Sequence, residues 1–218
     1  MKILSISAAT VLFVVLITAG AASAQTNEAT PTNETEVVEL PEAGILPDSI
    51  LFNLELWWED IQRFFTFSNV RKAELEAKLA MKRIAEAEKL IEKGKPEIAE
   101  KHLLQFQNRL AAAYEKTEQA SEKGKDVDAL IEKLEANLLK QQEVLAKVYD
   151  RVPASAQEGV LNAMEKSASG LQNAITNVQK SDAAEEFKNK LKNKVENFGT
   201  TKKNEIKEHL QQKGIIDD

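Results

Sequence analysis

Apolar residues recur three and four positions apart along most of the chain, a pattern typical of amphipathic helices. Six such stripes predict helices over approximately residues 48–67, 70–93, 96–123, 126–151, 155–178 and 181–213. The fifth stripe keeps nearly heptad spacing, which is characteristic of coiled-coil packing. We therefore expect an all-α fold, an antiparallel bundle of about six amphipathic helices that is partly coiled-coil-like.

Glycine and proline mark the predicted ends of these helices. The tetrapeptide Glu-Lys-Gly-Lys occurs twice, with Gly94 and Gly124 placed to end helices in the left-handed conformation. Pro153 cannot continue the helix before it, so it divides a helical domain over residues 43–152 from a C-terminal helical hairpin over 153–218. We expect Gly199 to bend or fray the last helix, and we expect thinner burial in this hairpin because it is rich in small residues and Lys.

The first 24 residues match a secretory signal peptide. A basic residue precedes an uncharged apolar run over residues 3–19, and Ala22-Ser23-Ala24 supplies the small residues that signal peptidase reads. We expect cleavage near Gln25 and export to the cell surface, the periplasm or the medium. The alternative is an uncleaved membrane anchor. No later stretch is long and apolar enough to span a membrane.

Residues 25–42 are rich in Thr and Glu and contain no aromatic residue, which predicts a disordered acidic linker. Asn33 lies in an Asn-Glu-Thr sequence and is a candidate N-glycosylation site, with an unmodified linker as the default.

Composition and motifs predict no catalytic residue, cofactor or metal ligand. The chain has no Cys, and neither His102 nor His209 follows a Glu at the spacing of di-iron bundles. No Ser has a Gly-x-Ser-x-Gly setting, and no phosphate-binding loop is present. Glu205 and His209, one turn apart, are interpreted as a solvated contact. A net charge of -6 argues against binding to nucleic acid. We expect a protein that is not an enzyme.

The first predicted helix carries six of the eleven aromatic residues that follow the predicted signal peptide. Four of them are candidates for a partner surface: Trp57, Trp58, Phe64 and Phe65. The leading interpretation is that they form the core of the bundle. The alternatives are a partner surface, in which part of the stripe stays exposed, and peripheral contact with a membrane. The acidic residues Glu55, Glu59 and Asp60 in the same helix disfavour the membrane.

Several short motifs resemble a known family. They are Gly-Ile-Leu-Pro-Asp-Ser at residues 44–49, Trp58-Glu59, Phe65-Thr66-Phe67 and Arg-Ile-Ala-Glu-Ala at residues 83–87. Over about residues 43–149 the chain resembles DUF5667, a family of exported domains of unknown function. The resemblance implies an exported all-helical domain and no reaction or ligand. Asn53-Leu54 and Glu55 depart from the family, whose members often have Tyr-Pro and a basic residue there.

These features together predict an exported, non-catalytic helical protein that acts by protein–protein contact at the cell envelope, either with another protein or by self-association. The alternative is a chaperone-like or ligand-sequestering module. An exposed groove lined by Trp57, Phe64 and Phe106 would favour that alternative, and a tightly filled seam between the hairpins would exclude it.

Overall fold

The protein is an all-α bundle, as its sequence predicts. The computed structural model describes residues 41–44, 46, 49 and 52–217, which belong to one compact unit. Within these residues there is no β-strand. The helices are α1 (Phe52–Phe64), α2 (Asn69–Glu92), α3 (Pro96–Glu122), α4 (Asp128–Arg151), α5 (Ala154–Asn177), α6 (Ser181–Glu196) and α7 (Lys203–Gln212). The predicted signal peptide, the acidic linker up to residue 40 and Asn33 lie outside the described residues.

Helices α2 and α3 form a hairpin around Gly94, which adopts the left-handed conformation with φ +69°. The backbone N–H of Gly94 donates to the carbonyl of Ile91 at 2.9 Å, and that of Lys95 donates to the carbonyl of Leu90 at 2.9 Å. Gly124 has the same φ of +69° at the end of α3. Both copies of the repeated tetrapeptide therefore end helices, as predicted.

Helix α5 packs closely against α3 and α4. Gly170 permits this approach, because a Cβ atom there would lie 2.9 Å from the Tyr114 ring. The Tyr114 hydroxyl donates to the Ser167 carbonyl at 3.0 Å, and the Gln142 amide donates to the Ser167 hydroxyl at 2.9 Å. The helices after Pro153 are thus joined to the earlier ones by packing and by buried hydrogen bonds.

The part of the chain after Pro153 has one helix more than expected. The last predicted helix is two helices, because it ends at Glu196 and a new one begins at Lys203. The Asp150 carboxylate accepts hydrogen bonds from the backbone N–H groups of Thr201 at 2.8 Å and Lys202 at 3.0 Å, which caps the start of α7. A smaller share of residues is buried in α5 and α7 than in α2 and α4, as expected, yet several apolar side chains of α6 and α7 are fully buried: Phe187, Leu191, Val195, Ile206 and Leu210.

Within the part of the chain that the structure describes, none of the seven helices combines the length and the apolar character that crossing a bilayer requires.

Candidate functional site

Helix α1 turns its large apolar side chains away from the bundle. Four of them, together with Phe65 directly after the helix, are more than half exposed: Leu54 60%, Trp57 60%, Trp58 56%, Phe64 75% and Phe65 66%. We call these five residues the aromatic face. Phe64 and Phe65 contact each other edge to face, with ring centroids 5.2 Å apart. The leading interpretation of the sequence, in which these residues form the core, is therefore wrong for the described chain.

Phe65 and Phe67 follow α1 in the turn that leads to α2, since the helix ends at Phe64 rather than near Phe67. The Thr66 hydroxyl donates to the Gln62 carbonyl at 2.7 Å, and this bond competes with continuation of the helix. The early end leaves both Phe rings at the margin of the bundle.

The opposite side of α1 is acidic and faces α2. Lys82 of α2 contacts Glu55 at 2.7 Å and donates to Glu59 at 2.6 Å. The Arg83 guanidinium also donates to Glu59, whose side chain is buried. If α1 were rotated so that the aromatic face pointed inward, Glu55 and Glu59 would be exposed and Arg83 would lose its hydrogen bond to Glu59. The ion pairs thus fix which side of α1 faces the bundle.

Glu59 and Arg83 belong to a buried ion-pair network that reaches α3. Arg83 donates to both carboxylate oxygens of Glu86, at 2.7 and 2.8 Å, and His102 Nδ1 lies 2.8 Å from the same carboxylate. The four side chains are each at most 3% exposed as residues. Because charge burial is costly unless the charges are paired, the network specifies one arrangement of α1, α2 and α3.

A second group of ion pairs extends this network toward the end of α1. Glu76 accepts a hydrogen bond from Arg63 at 2.7 Å and another from Arg109 of α3 at 3.1 Å. The buried Nε group of Arg83 has no hydrogen-bond partner among the described residues. The network therefore joins α1 to both helices of the first hairpin.

The carboxylates in the network are engaged by cations, which determines what this site can do. Glu59, Glu76 and Glu86 each bond to Arg, Lys or His side chains at hydrogen-bonding distance. Among the described residues, no group of three or more His, Asp or Glu side chains could hold a metal ion. The arrangement is one that positions a helix.

The residues of this network lie within the segment that matches a known family. The model of DUF5667, a domain of unknown function, matches residues 44–155, just over half of the chain. The chain belongs to the DUF5667 family. The match confirms the resemblance seen in the sequence motifs. Comparison with curated proteins gave no match, and comparison with solved structures gave none either.

In this DUF5667 domain, the charged residues of two separate motifs meet in space. Glu59 comes from the Trp-Glu pair, and Arg83 and Glu86 come from the Arg-Ile-Ala-Glu-Ala segment. Sequence reasoning overlooked this network. Its one signal is that Arg83 and Glu86 are neighbours of the apolar stripe of α2, at positions next to Ile84 and Ala87.

The remaining candidate residues are not brought together. Phe106 is fully buried in the core, away from the exposed Trp57 and Phe64, so these three residues do not line one exposed groove. His209 pairs with Glu165 of α5 at 3.1 Å, whereas Glu205 accepts a hydrogen bond from the Tyr149 hydroxyl at 2.9 Å. Burial, together with this bond to Glu205, raises the pKa of Tyr149 to about 12. The two residues that the sequence pairs thus serve as separate contacts between helices.

Proposed function

We propose that this protein is an exported, non-catalytic helical protein that acts by protein–protein contact at the cell envelope, and that it binds a second copy of itself through the aromatic face. One observation carries the proposal: α1 and the residue after it present two Trp and two Phe side chains outward, while buried ion pairs hold the other side of the helix. Large contiguous apolar patches on a protein surface mark interaction sites. The signal-like segment over residues 1–24 supports export.

The size of the aromatic face is adequate for a dimer. Aromatic side chains bury about 150–250 Å² each when fully covered. Pairing two aromatic faces would therefore remove on the order of 1,000 Å² from water, at the lower limit of specific interfaces. Trp is also the residue type most enriched among those that dominate binding energy.

The charges around the aromatic face permit self-association. The face itself carries no charge, and two of the three acidic residues of α1, Glu55 and Glu59, are turned toward α2. The third, Asp60, lies 3.4 Å from Arg63 of the same helix. Two copies can therefore approach without unpaired like charges meeting, which would be destabilising.

A non-catalytic role is supported by the pairing within the ion-pair network. Its carboxylates bond to cations, so none of them is left as an unpaired acid or base beside the aromatic face. General acid–base catalysis needs such a group within reach of a substrate.

Sedimentation velocity over a range of concentrations tests the proposal, with the protein purified after expression of the full chain. We expect a reversible dimer for the native sequence and a monomer for the double variant Trp57→Ser, Trp58→Ser. Leu104→Ser is the matched control, because Leu104 is an exposed apolar residue of α3 outside the aromatic face. A native chain that stays monomeric, or a double variant that associates as the native chain does, contradicts the proposal.

A further inference from the structure

A second surface lies beside the aromatic face, where the chain turns from α1 into α2. Phe67 is the most exposed of the described large apolar side chains, at 79%. Arg71, Leu75 and Lys78 follow at helical spacing along one side of α2. We call Phe67, Arg71, Lys72 and Lys78 the basic edge.

Two open cavities of about 460 Å³ each adjoin this edge. Arg71 and Leu75 line both of them. Phe67 lines one cavity, and Lys78 lines the other together with Lys133 of α4. Phe67, Arg71 and Lys78 therefore border two adjoining cavities, whereas Lys72 lines a third cavity that Leu75 also borders.

Among the described residues, the cations of the basic edge form no ion pair with an acidic side chain. Lys133 is paired with Glu74 at 3.1 Å. In contrast, no acidic side chain in the part of the chain that the structure describes forms an ion pair with Arg71, Lys72 or Lys78. Three cations without an ion-pair partner among the described residues thus lie near an exposed Phe, on a chain whose net charge is -6, and Glu74 in the same cavity is itself paired with Lys133.

The acidity of α1 does not reach this edge. Glu55 and Glu59, which disfavour membrane contact in the sequence, point into the bundle and are neutralised by Lys82 and Arg83. Glu76 is likewise held by Arg63 and Arg109. These acidic side chains therefore do not oppose contact between the turn after α1 and an anionic membrane surface.

We propose that the basic edge binds the anionic surface of a phospholipid membrane, with Phe67 in the interface and Arg71, Lys72 and Lys78 against lipid phosphates. Anionic lipid surfaces attract clustered Lys and Arg side chains, and aromatic rings settle at the depth of the head groups. Phe67 is not part of the aromatic face, so this proposal does not rest on dimer formation.

Co-sedimentation with vesicles tests the proposal, again with the protein purified after expression of the full chain. We expect binding to vesicles that contain phosphatidylglycerol, much weaker binding to phosphatidylcholine alone, and loss of binding as salt is raised. The triple variant Arg71→Gln, Lys72→Gln, Lys78→Gln should lower the partition coefficient about hundredfold, since each charge contributes about fivefold. Phe67→Ser should lower it separately.

The matched control is Lys101→Gln, Lys147→Gln, Lys166→Gln, which removes the same charge from exposed positions on other helices. Circular dichroism confirms that each variant is folded, and sedimentation velocity shows whether the dimer is unchanged. The proposal is overturned if the native chain does not bind vesicles that contain phosphatidylglycerol. It is also overturned if the triple variant of the basic edge binds these vesicles as strongly as the control variant does. Competition by soluble polyglutamate with no effect of Phe67→Ser would also overturn it, in favour of an acidic protein partner.

Discussion

Helix α1 and the C-terminal helices α6 and α7 use apolar residues in opposite ways. Helix α1 has the largest side chains and leaves Trp57 and Phe64 more than half exposed. Helices α6 and α7 are rich in Lys, yet Phe187, Leu191 and Ile206 are fully buried. The apolar face of a helix is buried when the apolar face of another helix packs against it. The number and size of its apolar residues do not decide whether it is buried. In α1 the side that faces the bundle is held by ion pairs.

The largest test of this contrast compares two Phe residues. Phe187→Ala should lower the free energy of unfolding by about 3–5 kcal/mol, because it leaves a cavity in a packed core. Phe64→Ala should change it by less than about 0.5 kcal/mol, because the side chain is mostly exposed. Urea denaturation at a concentration where the protein is monomeric measures both. Equal losses for the two variants would mean that the aromatic face is covered within one chain.

The ion-pair network provides the next largest effect. Arg83→Met should cost about 3 kcal/mol, because it leaves Glu59 and Glu86 buried without their main partner. Lys89→Met is the matched control, since Lys89 also pairs with a Glu three residues later, at 2.8 Å, but on the exposed side of α2.

We expect no measurable change in unfolding for Lys89→Met, because exposed pairs contribute little. Hydrogen exchange should show faster opening of α1 in Arg83→Met, with α6 nearly unaffected. Uniform acceleration in all helices would mean that the network does not act mainly on α1.

The sequence predicts the helices better than it predicts which side of α1 is buried. Gly94, Gly124 and Pro153 end helices where the rules of helix termination place them. The apolar pattern of α1 favours a place in the core, because the apolar face of an amphipathic helix usually packs inward. That interpretation failed because Glu55 and Glu59 form the opposite face, and their partners Lys82 and Arg83 come from another helix. Pairing between distant charges depends on tertiary structure, which periodicity within one helix does not contain.

The close packing of α5 on α3 predicts a smaller effect, in which two Gly→Ala substitutions change stability in opposite directions. Gly170→Ala should destabilise the protein by about 1–3 kcal/mol, because its Cβ would lie 2.9 Å from the Tyr114 ring. Gly159→Ala lies in the same helix, where the nearest side-chain atom to a Cβ, from Glu100, is 3.9 Å away. That control should stabilise the protein by about 0.5–1 kcal/mol through helix propensity. Thermal unfolding shows whether each substitution raises or lowers the stability. If both substitutions destabilise the protein, contact with Tyr114 is not what makes Gly170 necessary.

The smallest expected effect concerns an ion pair between α4 and α6. A hydrogen bond from Lys194, at 2.8 Å, and a second from Lys147 lower the pKa of Glu143 to about 2. Because this pKa is depressed in the folded state, the pair stabilises the protein above the ordinary Glu pKa and loses that contribution as pH falls toward 2.

Lys194→Gln should therefore lower the free energy of unfolding by up to about 1 kcal/mol near neutral pH, and the difference from the native chain should shrink as the solution is acidified. Urea titrations of both proteins at several pH values measure it. Lys166→Gln, which removes an exposed charge elsewhere, should give a difference that does not change with pH over this range. If the Lys194→Gln difference stays constant down to the acid limit, the contribution of Lys194 does not come from its pair with Glu143.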